Sequence, residues 1–216
     1  MSNISELTEK VKDVLEADRY NPEAIEILEQ SVQEQVTRNT YNSDANFSLL
    51  KLYQFSPQQR NDDICFKILA KALFHKDDFM ACFYFLPSSM QSMEPFETLH
   101  RLSKDLESAS FAEFWNRIKT VELFNDIKGF KNSARIEIAK ILALSYQQIP
   151  MPVVAKFLDY TVSSAELGSF LLEQNWVLDK NVVLIPSNTQ NKPRAKKFEE
   201  SIQLHQVAPL FRFLET

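Results

Sequence analysis

The chain has 216 residues and a formal net charge of −5, with 44% hydrophobic and 25% charged residues. This composition is ordinary for a globular protein, and the length fits one large domain or two small ones. Glycine is unusual, because the chain contains only Gly129 and Gly168, where average usage would give about fifteen. Phosphate-binding loops need several glycines, so the composition excludes the GxGxxG loop, the P-loop and the GxSxG elbow of hydrolases.

Charge and apolar runs limit the partners and the compartment. An acidic chain has no overall basic field that would attract nucleic acid or an anionic membrane surface. The longest wholly apolar run, residues 79–86, is far shorter than the roughly 20 residues of a membrane span. Cys65 and Cys82 lie in apolar helical stretches without a CxxC pattern, which is typical of reduced, buried thiols. The sequence predicts a soluble, cytoplasmic protein that does not bind membranes.

Helical periodicity dominates residues 1–130. Apolar residues recur at spacings of three and four from Ile4 to Val14, as on one face of an amphipathic helix. Further helix starts, about 15 to 20 residues apart, are predicted near capping or proline positions: Asn21, Asp44, Asp62, Asp77, Pro95 and Ser110. Short antiparallel helices at this spacing are typical of HEAT-like helical repeats, although no repeated sequence motif accompanies them.

The pattern changes after Gly129. Three helices are predicted at residues 132–147, 150–160 and 163–174, followed by a β-hairpin over 176–185 and a last amphipathic helix from about 195. Three helices followed by a hairpin is the order of a winged helix. Residues 1–130 carry 14 basic and 21 acidic side chains, whereas residues 131–216 carry 10 basic and 8 acidic ones. The balance of charge therefore changes at the same place as the pattern of predicted elements. We therefore predict a mainly α protein, with a HEAT-like helical-repeat domain at 1–130 packed on a winged-helix domain at 131–216.

The best candidate for a catalytic group is His75, with Asp77 and Asp78 close by. A histidine beside carboxylates can bind a metal or act as a base. Two ligands do not make a metal site, however, and this segment is typical of a joint between two helices. The sequence favours a protein without catalytic residues, metal, cofactor or small-molecule substrate. A hydrolytic or metal-dependent site at His75 remains the alternative hypothesis.

Nucleic-acid binding through the predicted winged helix is disfavoured by charge. The stretch between Lys156 and Lys180 contains acidic residues but no basic one, so it would repel phosphates. The exception is a short run of basic residues: Lys192, Arg194, Lys196 and Lys197. This run could contact RNA, and the alternative is that it forms a solvated linker.

Two apolar features predict contact with a partner protein. The run at residues 79–86 is apolar on every face of a helix, so Phe83 and Phe85 are either buried or covered by a partner. The last amphipathic helix carries a second set of apolar residues, for which partner contact is also predicted: Phe198, Ile202, Leu210, Phe211 and Leu214.

Several blocks of the sequence, in order and at consistent spacing, resemble one known family. The blocks are Asp18-Arg-Tyr-Asn-Pro22, Lys51-Leu-Tyr-Gln-Phe55, Phe111-x-x-Phe-Trp115, Gly129-Phe130 with Ser133 and Arg135, and Ser145-Tyr-Gln-Gln-Ile149. Together they closely resemble the family of subunit k of eukaryotic translation initiation factor 3, over nearly the whole chain.

This resemblance implies a helical-repeat domain on a winged helix, related to the PCI-like scaffolds of the proteasome lid and the signalosome. It further implies a non-enzymatic, peripheral subunit held mainly through subunit l. The assembly implied in this way binds the small (40S) ribosomal subunit and promotes recruitment of mRNA and initiator tRNA. Besides the enzymatic alternative at His75, the residues themselves leave open a stand-alone winged-helix nucleic-acid binder and a subunit of another scaffold.

Overall fold

The computed structural model describes residues 2–17 and 19–192. These residues form a mainly helical protein with one small sheet, which confirms the predicted fold class at that level. The α-helices are α1 Ser2–Ala17, α2 Ile25–Arg38, α3 Ser43–Phe55, α4 Asp62–Ala72, α5 Lys76–Phe85, α6 Ser88–Gln91, α7 Phe96–Glu107, α8 Phe111–Ile118, α9 Phe130–Ser145, α10 Met151–Phe157 and α11 Ala165–Glu173. The strands are β1 Gln148–Pro150, β2 Val177–Asp179 and β3 Val182–Leu184. Within the described ranges, no helix combines the length and the apolar character needed to cross a bilayer.

Side-chain caps explain why several helices begin close to their predicted starts. The Asn42 side chain accepts a hydrogen bond from the backbone N–H of Ala45 at the start of α3. Asn61 caps α4 in the same way, through the N–H groups of Asp63 and Ile64. These caps satisfy N–H groups that have no partner inside the helix, so the helix starts follow from the local sequence.

The sheet contains one strand more than the sequence predicts. The predicted hairpin is present as β2 and β3, which pair antiparallel with Leu178 opposite Val183. On its other side β3 pairs antiparallel with β1, where Ile149 lies opposite Val183. The strand order is therefore β1-β3-β2, which leaves β2 at an edge of the sheet.

Helices on either side of residue 130 are joined where α10 ends. The Trp115 indole on α8 donates a hydrogen bond of 2.8 Å to the carbonyl oxygen of Phe157. Arg135 on α9 donates to the carbonyl oxygens of Leu158, at 2.9 Å, and Asp159, at 3.3 Å. These groups satisfy carbonyls that the end of a helix leaves unpaired. The contact therefore fixes α10 against both α8 and α9.

A second contact of this kind lies at Gly129, which has a φ of 75° at the start of α9. Asn39, the residue that ends α2, donates from its amide to the Ser133 hydroxyl at 3.3 Å. Its amide oxygen accepts from the Lys71 ammonium at 2.6 Å. The buried apolar residues on both sides of position 130 form one cluster, and the division into two domains there stays a prediction.

Candidate interaction surface

Three exposed apolar side chains lie on β2 and on α11, the helix before it; Val177 and Leu178 follow each other in the strand and therefore point to opposite faces of the sheet. Val177 and Leu178 on β2 are 60% and 48% exposed, and Leu172 on the neighbouring helix α11 is 76% exposed. Trp176 and Val183, next to them in the sheet region, are buried. The sheet thus uses some of its apolar side chains for the core and presents the others to solvent. We call Leu172, Val177 and Leu178 the β2 surface.

Three carboxylates and one basic residue, Lys180, lie close in sequence to the β2 surface. Glu166 and Glu173 on α11 and Asp179 on β2 are all exposed, and none of the three forms an ion pair with another described residue. Among the described residues β2 pairs only with β3, so its other edge presents backbone N–H and C=O groups that a further strand could pair with. This surface therefore suits a partner segment that is apolar and basic.

Sequence analysis did not identify these three residues. Leu172, Val177 and Leu178 look like ordinary core residues in the sequence, because the burial of a helix or strand residue depends on which distant segments pack beside it. The one available sequence signal was that all three lie within seven positions of each other among acidic residues. That signal does not reveal which side chains face solvent.

Two residues of the apolar run at 79–86, for which partner contact is predicted, lie in different environments. Phe83 lies in the core with 5% of its surface exposed, and its ring stacks on His100 with the ring centroids 4.8 Å apart. Phe85 is half-buried and contacts Phe47. Phe83 thus packs inside its own chain and leaves little surface for a partner, whereas Phe85 is partly accessible. Partner contact at these positions stays a prediction.

The basic run and the last predicted helix are almost entirely beyond the part that the structure describes. Lys192 is exposed. Asn191, beside it, donates from its side chain to the carbonyl oxygens of Ala143 and Tyr146 at the end of α9, at 3.1 and 3.2 Å. The following predicted residues lie outside the described ranges: Arg194, Lys196, Lys197, Phe198, Ile202, Leu210, Phe211 and Leu214.

A cluster of side chains around His75 connects the starts of α3 and α5. The His75 ring stacks on Tyr41, with centroids 4.0 Å apart and an interplanar angle of 11°. The Asp78 carboxylate accepts hydrogen bonds from the hydroxyls of Tyr41, at 2.9 Å, and Ser43, at 2.7 Å. Partial burial lowers the pKa of His75, against the opposing effect of Asp78. The contacts of this carboxylate tie two helices together.

Metal and thiol chemistry have little support in the described part of the chain. No cluster of three or more His, Cys, Asp or Glu side chains there could hold a metal ion. Cys65 and Cys82 are buried and unpaired, and burial raises the pKa of each thiol to about 12. Both thiols are therefore protonated at neutral pH and poor nucleophiles.

Comparison with known proteins identifies the family. The model of the CSN8/PSMD8/EIF3K family matches residues 59–197, well over half of the chain. The chain belongs to this family. It is 34% identical over 200 residues to eukaryotic translation initiation factor 3 subunit K of Bombyx mori, with 91% of both chains covered. It is 32% identical over 203 residues to the protein of the same name from Dictyostelium discoideum, covering 92% of this chain and 82% of that one.

The family match confirms the resemblance found in the sequence blocks. For the subunit K protein of Drosophila mojavensis, the identity is 32% over 197 residues, with 89% and 88% of the two chains covered. The match to the CSN8/PSMD8/EIF3K family extends from the 3₁₀ helix Pro57–Gln59 before α4 through β3, and so includes the whole β2 surface.

Proposed function

We propose that this chain is a non-catalytic scaffold subunit of the eukaryotic translation initiation factor 3 complex, in the cytoplasm. The proposal is carried by similarity to subunit K proteins over about nine tenths of the chain. Following the resemblance, subunit l is the main neighbour, and the complex binds the 40S ribosomal subunit and promotes mRNA and initiator-tRNA recruitment. The chain itself contributes contact surfaces.

The proposed architecture is a HEAT-like domain at residues 1–130 and a winged-helix domain at 131–216. It is supported by the succession of short helices from α2 to α8 and by the order α9, α10, α11, β2, β3. The third strand, β1, lies between α9 and α10 and completes the sheet. Among the described residues, no further strand pairs with β2, which makes the β2 surface the proposed contact surface of the winged-helix domain.

We assign partner binding first to the β2 surface. Exposed apolar side chains beside a strand edge that no other described strand pairs with lose contact with water when a partner covers them, which favours association. The carboxylates close in sequence to this surface favour a neighbour with basic residues. Phe85 and the predicted residues Phe198, Ile202, Leu210, Phe211 and Leu214 are proposed as further contacts.

The proposal is tested by isolating the tagged full chain from its own cells at near-physiological salt and measuring the mass and composition of the particle. We expect a particle with many initiation-factor subunits, partly bound to small ribosomal subunits. Leu178→Asp places a charge on the β2 surface, so its particle should lose most of the other subunits. Leu123→Asp, at a residue that is 39% exposed elsewhere, is the matched control and should keep them.

Unchanged composition with both Leu178→Asp and Leu172→Asp would show that the β2 surface is not the contact. Recovery of the unmodified chain as a free monomer of 25.1 kDa would contradict the scaffold function itself. Circular dichroism of each purified variant separates a lost contact from a lost fold.

The non-catalytic assignment has its own test at His75. His75→Ala removes the imidazole that stacks on Tyr41, in a cluster where Asp78 joins the starts of α3 and α5. We expect the particle and its translation-initiation activity in a reconstituted system to be unchanged. Loss of translation-initiation activity with an intact particle would instead support the alternative of a hydrolytic or metal-dependent site at His75.

RNA contact through Lys192, Arg194, Lys196 and Lys197 is the second proposal for this chain, supported by four basic residues within six positions. Such contacts make binding depend on salt. Binding of the purified chain to a labelled oligouridylate at low salt should weaken when these four residues are changed to glutamine. Absence of binding at low salt would dispose of the proposal.

A further inference from the structure

Helix α11 presents one of its faces to solvent. Leu172 on this helix is more exposed than any other large apolar side chain that the structure describes, and Gly168 lies one turn before it. Residues four positions apart lie on the same face of a helix, so these two residues share what we call the α11 face. The buried residues of the helix, Leu167, Phe170 and Leu171, lie on its other side. Packing in the core therefore accounts for one side of α11 only.

The glycine on the α11 face has no explanation within the chain. Glycine destabilises the interior of a helix relative to alanine. Gly129 has a positive φ and Gly168 does not, so backbone conformation does not require glycine at position 168. A Cβ atom there would meet nothing within 4 Å, so packing does not require it either. A local rule that is broken without a gain inside the molecule points to a functional surface, and glycine lets a second backbone approach closely.

The charged side chains of α11 are all negative. Glu166 and Glu173 are both exposed, and because they are seven positions apart, or about two turns, they lie along the same side of the helix. Helix α11 contains no basic residue, and the nearest ones along the chain are Lys156 and Lys180. Opposite charges across an interface favour the correct partner, whereas like charges oppose binding. A partner that covers the α11 face is therefore expected to carry basic residues.

We propose that the α11 face binds an amphipathic, basic α-helix of a partner protein, which packs close to the backbone at Gly168. An apolar side chain of that helix occupies the space above Gly168 and contacts Leu172, and its basic side chains pair with Glu166 and Glu173. Packed helices lie about 8 to 10 Å apart, depending on the side chains at the contact, and glycine permits the shorter distance. The inference rests on the proposed function, because Leu172 belongs to the β2 surface, and it adds the kind of segment that binds there.

Geometry and charge favour a helix over other occupants of the α11 face. An added strand binds through backbone groups at a sheet edge, whereas the backbone groups inside a helix already bond to one another. The α11 face therefore offers side-chain packing, which suits a second helix. Nucleic acid would bring phosphates close to Glu166 and Glu173, where no basic residue of α11 could neutralise them.

The test isolates the tagged full chain from its own cells and measures which subunits accompany it. Gly168→Leu fills the space needed by the partner helix and should lower recovery of the other subunits at least fivefold, by about the loss expected for a blocked contact. Gly168→Ala should lower recovery by about twofold while it raises the thermal unfolding midpoint, a combination that a merely structural role would not give. Ala81→Leu adds the same side chain at an exposed position of α5 and should leave recovery unchanged.

The charge of the partner is tested with the double variant Glu166→Gln and Glu173→Gln. Its particle should lose the other subunits at a lower salt concentration than the particle of the unmodified chain, because fewer ion pairs hold the partner helix. Equal salt dependence of the two particles would contradict a basic partner.

A photocrosslinking amino acid in place of Ser169, an exposed residue next to Gly168, identifies what covers the α11 face. We expect crosslinks to one segment of another subunit that contains Lys or Arg, at positions three or four apart as on one face of a helix. Crosslinks to RNA, or to residues 193–216 of this chain, would overturn the inference by assigning the face to a different occupant.

The outcome for this inference is distinguishable from that for the proposed function. Loss of the other subunits in Leu178→Asp but not in Gly168→Leu would support the proposed function and overturn this inference alone. Equal loss in Gly168→Leu and Ala81→Leu would also overturn it. Recovery of the unmodified chain as a free monomer would contradict the proposed function and the inference together.

Discussion

At the scale of single residues, Gly129 is a position where backbone conformation decides which residue fits. Its φ of 75° lies in the left-handed region, and a Cβ atom there would be 2.8 Å from the amide nitrogen of Asn39. Asn39 cannot move freely, because Lys71 and Ser133 hold its side chain through hydrogen bonds. Both the conformation and the space therefore require glycine.

Gly129→Ala should destabilise the fold by about 1 to 3 kcal/mol, from backbone strain and displacement of Asn39. Gly168→Ala is the matched control, since Gly168 lies inside α11 and a Cβ atom there meets nothing within 4 Å. Alanine is favoured over glycine in a helix by about 0.5 to 1 kcal/mol, so this variant should be more stable than the unmodified chain. Denaturant unfolding measures both; equal effects of the two substitutions would contradict the argument.

At the scale of secondary-structure elements, the end of α10 shows how one side chain can join several elements. The Arg135 guanidinium lies 4.0 Å from the centroid of the Tyr160 ring and 5.6 Å from that of Trp115. It also donates to the two carbonyl oxygens that directly follow α10. A cation near a helix C-terminus also interacts favourably with the helix dipole. Arg135 thus combines hydrogen bonding, ring contact and charge at one junction.

Arg135→Gln should lower the free energy of unfolding by about 1 to 3 kcal/mol, because partly buried carbonyls lose their donors. Lys131→Gln, on the exposed face of the same helix, removes a positive charge without these contacts and should leave stability nearly unchanged. Denaturant unfolding of the two variants is the measurement. A similar loss in both would mean that charge alone, and not the contact with α10, is responsible.

At the scale of the whole molecule, two histidines should make stability depend on pH. Burial lowers the pKa of His75 and of His100, and Lys104 lowers that of His100 further while Glu107 opposes it. The unfolded chain keeps the ordinary histidine pKa of about 6.5, so it binds protons first as the pH falls. The free energy of unfolding is therefore not reduced by these histidines above about pH 6.5. It declines as the pH decreases toward the lowered pKa values of the folded state.

His100→Phe should reduce this pH dependence and keep the ring stacked on Phe83. The Nδ1 atom of His100 is buried without a hydrogen-bond partner in the described part of the chain, so phenylalanine removes no such bond there. The thermal unfolding midpoint should fall less between about pH 7.5 and pH 5.5 in the variant than in the unmodified chain. An identical fall in both proteins would show that His100 does not contribute.

The amino-acid sequence by itself determined the features that depend on neighbours along the chain. Helical periodicity and capping residues predict α3 and α4 close to their observed starts, because a cap bonds to N–H groups two or three residues away. The hairpin β2–β3 follows from two runs of strand-forming residues around a short turn. The family resemblance also rests on sequence blocks alone.

Only the tertiary structure decided which elements pair and which apolar side chains stay exposed. Strand β1 exists because residues 148–150 meet β3, more than thirty positions later in the chain. Phe83 is buried and Phe55 is exposed, although both lie in helices rich in apolar residues. Likewise, Tyr20 and Lys51 come together only through the fold. Burial and strand pairing depend on contacts between distant segments, which local propensity and periodicity do not encode.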